Sequence, residues 1–147
     1  MESSSPPSKL EVAIELLDCG IELHDRGKYF GSLHLAGAAE ELFGEYLRRL
    51  GRTSSLSAWC TEGVKLANLI AEEDAWTRET MENRLKYAKN RTKHMNASGD
   101  TEILFDPEAE AKEILERAVS NFYQLIDLLP LVETPLIQQF NSRRLRA

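Results

Sequence analysis

Apolar residues recur along this chain at steps of three and four, and no stretch alternates as a half-buried strand would. Val12, Ala13, Leu16, Leu17, Ile21 and Leu23 predict a first helix opening at Ser8 or Lys9. It ends near Asp25-Arg26-Gly27, where Gly27 suits a left-handed cap. A second helix is predicted from about Lys28 to Leu50, with Leu33, Leu42, Phe43 and Leu47 on its apolar face and Gly51 as its stop. Its middle, Leu35-Ala36-Gly37-Ala38-Ala39, is built of small residues and lets a neighbouring helix approach closely. A third helix spans about Ser55 to Glu72 on Leu56, Trp59, Val64, Ala67, Leu69 and Ile70, with Gly63 a weak point. A fourth covers about Thr77 to Met95. Its core stripe is Met81, Leu85, Ala88, Thr92 and Met95. Asp106-Pro107-Glu108 combines an N-cap, a proline at the first helical position and an acid, and so opens a fifth helix that runs to about Leu129.

These elements predict an all-α, antiparallel bundle of four to five helices occupying residues 9–129. Residues 1–8, rich in serine and proline, read as a disordered N-terminus. Residues 130–147 read as a partly ordered basic tail broken by Pro130 and Pro135. Leu136, Ile137 and Phe140 imply that the tail packs on something, a second protomer being one candidate.

With 42% apolar and 29% charged residues, the composition is that of an ordinary globular protein, large enough for one modest core. No apolar run approaches the roughly 20 residues of a membrane helix, and no secretory signal is present, so a cytoplasmic location without membrane contact is expected. Cys19 and Cys60 have no Cys or His neighbour at ligand spacing and read as two buried, reduced thiols.

Charge changes the picture most. The chain carries a net −6, yet residues 84–98 contain five Lys or Arg and no carboxylate. Such a contrast points to an anionic partner. On a helical projection with Arg84 at zero, the core stripe occupies about 20–100° and Lys86, Lys89 and Lys93 about 140–200°. Asn90 and His94 fall at about 240–280°, one turn apart. An amide and an imidazole thus project beside a ridge of ammonium groups. An imidazole moves protons near neutral pH, and neighbouring cations hold a phosphodiester and its developing charge. That set is the minimum for metal-free RNA cleavage by the 2′-hydroxyl.

Lys89-Asn90-Arg91-Thr92-Lys93-His94 resembles the motif of HEPN domains, small all-α modules with a signature usually written Arg-Asn-x-x-x-His. Asn90 and His94 match it, Lys89 stands at the arginine position, and the resemblance spans about residues 9–129. It implies RNA or a nucleotide as ligand, a homodimer in which two motifs meet, and metal-independent endoribonuclease activity of toxin, defence or RNA-processing type. The catalytic set it implies is His94, Asn90 and Lys89, with Lys86, Arg91 and Lys93 as phosphate contacts, and no cofactor. Other members are noncatalytic and bind nucleotides or partner proteins, antitoxins included. Lysine lacks the planar fork with which arginine grips two phosphate oxygens, so Lys89 favours that alternative, a noncatalytic dimeric binding or interaction bundle.

Other chemistry is excluded by the residues themselves. No Glu-x-x-His pair supports the carboxylate-bridged metal site usual in helical bundles, and no glycine-rich phosphate loop occurs. His24 reads as surface. His34, within the small-residue segment, reads as a satisfied interior or cleft residue near Glu41 and stays outside the catalytic set.

Overall fold

A computed structural model describes residues 5–72 and 74–146. They form six helices and no strand: α1 Lys9–Asp25, α2 Tyr29–Arg49, α3 Ser55–Ala71, α4 Arg78–Lys93, α5 Pro107–Ile126 and α6 Pro135–Arg146. Of the expected disordered N-terminus, residues 1–4 lie outside the described residues. Ser8 is the N-cap of α1, accepting from the Glu11 amide while Glu11 reaches back to the Ser8 amide. Asp106 caps α5 ahead of Pro107, as its signature requires. Gly27 and Gly51 both adopt positive φ after helix ends, at 73° and 72°. No described helix is long and apolar enough to cross a membrane.

α2 is the central element, flanked by α1 and α5. Leu17 and Ile21 of α1, Phe43 and Leu47 of α2, and Leu115 and Phe122 of α5 are fully buried in one core. The small residues of α2 do what their size permits. A side chain at Gly20 of α1 would press on the Ala36 backbone at 3.3 Å, and Ser32 donates to the Gly20 carbonyl at 2.7 Å. The two helices therefore meet almost backbone to backbone.

α3 and α4 form a hairpin laid on one side of this core, with their own small cluster of Cys60, Met81 and Leu85. Asn68 closes the hairpin by donating to the Trp76 carbonyl at 3.0 Å and accepting from its amide at 2.8 Å. Cys60 is buried as expected. Cys19 is not: it lies on the exposed face of α1, so the pair of buried thiols is corrected to one.

The C-terminal segment departs furthest from expectation. Residues after Thr134 form α6, and Ile137 and Phe140 enter the core of their own chain. Thr134 caps this helix through the Ile137 amide and donates to Asp18 of α1. Arg143 pairs with Asp25 at 3.0 Å, and Arg144 donates to the Glu116 carbonyl at 3.2 Å. The surface that Leu136, Ile137 and Phe140 pack on is thus the core of their own chain, not a second protomer.

Candidate functional site

The basic helix α4 is capped by Thr77, whose hydroxyl accepts from the Thr80 amide. Met81, Leu85 and Ala88 face inward, as the stripe predicts. The helix stops at Lys93. His94 is its C-cap, with extended backbone (φ −128°, ψ 143°), and Met95 is 74% exposed rather than part of the core. Asn90 and His94 are both exposed, and no hydrogen bond joins them.

Most of the positive charge is answered locally. Lys86 pairs with Glu82 one turn earlier at 2.6 Å. Arg91 forks onto both carboxylate oxygens of Asp100, at 3.1 and 2.5 Å. Asp100 also accepts from the Asn96 amide, which folds the loop after α4 back onto the helix. Arg84 stands 3.7 Å from Glu110 of α5. Lys89 is buried: its stem lies over Gly37, where an added methyl group would meet its Cδ at 2.9 Å, and its ammonium pairs with Glu41. The residue at the motif's basic position is therefore a clamp between α4 and α2. Only Lys93 among the five cations has no carboxylate within ion-pair distance in the described residues.

Lys93 borders an open cavity of about 690 Å³ at the C-terminal end of α4. Phe30, Met95 and Ile103 supply much of its apolar lining; His34, Lys93 and His94 bring polar groups to it, with the Arg91–Asp100 pair and Glu102 at its side. Of the predicted site residues, the fold brings Arg91, Lys93 and His94 to this cavity. Asn90 and Lys89 do not line it, and Lys86 lines a separate pocket with Glu40, Glu41 and Glu82. Tyr87 and Phe105 meet edge to face at 6.0 Å and hold the segment that forms the far wall.

His34 is the residue the motif did not reveal. Its Nε2 lies 2.6 Å from the Thr92 hydroxyl, and that hydroxyl points at the Ala88 and Lys89 carbonyls at 3.0 and 3.1 Å. The Thr92 hydroxyl is shared between the imidazole and these two helix carbonyls, and it ties His34 of α2 to the last turn of α4. Burial, reinforced by the Lys93 and Lys89 ammonium groups, holds the His34 pKa below its ordinary 6.5. The site thus contains an imidazole whose surroundings favour its neutral form. No sequence signal links positions 34 and 92; only the fold does.

This has a measurable consequence. The unfolded chain binds a proton at His34 that the native state resists, so its contribution is present above about pH 6.5 and is lost as pH falls below that value. In urea titrations, wild type is expected to lose stability relative to His34→Gln between about pH 7.5 and pH 5.5. Parallel pH profiles for the two proteins would contradict this.

Among the described residues no group of three or more His, Cys, Asp or Glu is arranged to hold a metal ion. No protein-family model matches the chain, and neither a curated protein nor a solved structure matches it.

Proposed function

We propose that this protein is a HEPN-like helical module that binds RNA or a nucleotide, with the cavity at the end of α4 as its ligand site. The observation that carries this reading is Lys93. It is the cation of the basic helix left without a carboxylate partner among the described residues, and it sits beside two imidazoles and an apolar wall. An ammonium and a histidine suit a phosphate, and Phe30, Met95 and Ile103 offer a surface for the face of a base. The commitment of Lys89 to Glu41 favours binding over turnover, because it removes the group expected to grip the scissile phosphate.

Cleavage is the second reading, and one observation favours it. His34 and His94 line the same cavity, and His34 is held in the neutral form that accepts a proton. With RNA bound, one imidazole would take the 2′-hydroxyl proton and the other would return one to the leaving 5′-oxygen, without metal.

Titration calorimetry with adenosine monophosphate and a short oligoribonucleotide at low salt tests the binding reading. Lys93→Glu is expected to weaken affinity about tenfold or more, the scale of one charge-assisted hydrogen bond. Lys86→Glu, in the neighbouring pocket, should change it little. Affinity indifferent to Lys93→Glu would remove the reading. Chelator-resistant cleavage of labelled RNA that vanishes in His94→Ala would establish the second.

A further inference from the structure

The loop after α4 brings two negative charges to a cavity whose other ionisable groups are basic. Asp100 and Glu102 line it together with His34, Arg91, Lys93 and His94. Asp100 is the more committed of the two acids. Its side chain is 9% exposed, and both its oxygens accept from the Arg91 guanidinium, at 3.1 and 2.5 Å. A guanidinium grips two oxygens of a phosphate with the same bidentate fork. Arg91 keeps 31% of its side chain exposed. The cation therefore stays within reach of the cavity, and its partner is the group that is covered.

The same contact shapes the cavity wall. Asp100 also accepts from the Asn96 amide at 3.1 Å, and its own amide donates to the Ala97 carbonyl at 3.0 Å, so the chain turns back on α4 here. Residues 101–103 complete the lining, and among the described residues no backbone hydrogen bond ties them to another element. The next anchor is Phe105 against Tyr87. One ion pair thus governs both the availability of Arg91 and the position of the segment that bears Glu102.

We propose that Asp100 is a built-in substitute for the ligand's phosphate, an autoinhibitory latch that must leave Arg91 before the anion is fully held. The inference rests on the reading of this cavity as the site of a phosphate-bearing ligand. Arg91 and Asp100 stand nine positions apart in one chain, so the carboxylate competes at a high effective concentration. The apparent affinity is then the intrinsic one reduced by the fraction of molecules whose guanidinium is free. When the latch releases, Arg91 joins Lys93 on the phosphate and Glu102 withdraws with the loop. The cavity gains a cation and sheds an acid in one movement.

Asp100→Asn tests the latch, because the amide keeps an oxygen for the Asn96 N–H but offers no charge to Arg91. In calorimetric titrations with adenosine monophosphate and a short oligoribonucleotide at low salt, it is expected to bind about tenfold tighter than wild type or better. For the oligoribonucleotide, log affinity against log salt should steepen by about 0.7, the slope of one added phosphate contact on a single strand. Adding Arg91→Gln to Asp100→Asn should return affinity to near the wild-type value. A gain that survives Arg91→Gln would overturn the latch, since relief of repulsion alone would then explain it. Equal or weaker binding by Asp100→Asn would overturn it as well. In that event the cavity reading stands if Lys93→Glu still reduces wild-type affinity, and both fall if it does not.

Discussion

Arg117→Met is expected to lower folding stability by about 3–5 kcal/mol, the cost of leaving a buried charge without its partner. Arg117 is 2% exposed and Glu40 6%. The guanidinium donates from Nε and Nη2 to the two Glu40 oxygens at 3.0 and 3.2 Å, and Nη2 also lies 3.4 Å from the Leu85 carbonyl. It lies 5.3 Å from the centre of the Trp59 ring. One α5 side chain therefore touches α2, α3 and α4. Its Nη1 has no hydrogen-bond partner among the described residues, so the charge is only partly satisfied even in the native protein. Removing Arg117 strands the Glu40 carboxylate in the core. Replacing both, as Arg117→Met with Glu40→Met, removes the stranded charge and should return most of the loss. Urea titration of the two single variants and the double measures this. A double variant as unstable as the sum of the singles would show no coupling between the two side chains and would overturn this account.

Lys89→Arg is the second large effect, and it runs against the motif. By resemblance, arginine at this position should improve phosphate binding. By geometry it should cost about 1–3 kcal/mol, because a bulkier head must pass the narrow gap over Gly37 to reach Glu41. The side chain lines neither the Lys93 cavity nor the Lys86 pocket, so no gain in ligand affinity is expected. A thermal melt and the nucleotide titration read both halves. Wild-type stability together with newly gained RNA cleavage would reverse this account and restore Lys89 to the catalytic set.

The five long helices were legible because each carries an apolar face and a terminating or capping residue that local chemistry explains. α6 was not. Thr134-Pro135 is the same cap-and-proline start as Asp106-Pro107, but with Pro130 nearby it reads as a broken tail. What separates the two cases is a partner: Thr134 also reaches Asp18, which is 116 residues away. Charge misled in a similar manner. The carboxylate-free window closes at Ser98, and Asp100, which neutralises Arg91, stands two residues beyond it. The helical projection puts Lys89 on the solvent ridge, yet its position borders the core stripe. Glycine at position 37 opposite is what lets its stem lie inside. Local pattern thus located the helix that carries the site, while contacts across the chain decided which of its groups remain available.

Both tryptophans of this chain belong to the α3–α4 hairpin, Trp59 on α3 and Trp76 in the turn before α4. Intrinsic fluorescence excited at the indole band consequently monitors that lobe alone, whereas ellipticity averages over all six helices. Comparing the two signals during denaturation separates detachment of the hairpin from melting of the α1–α2–α5 centre. Where the traces diverge, a single midpoint no longer describes the molecule.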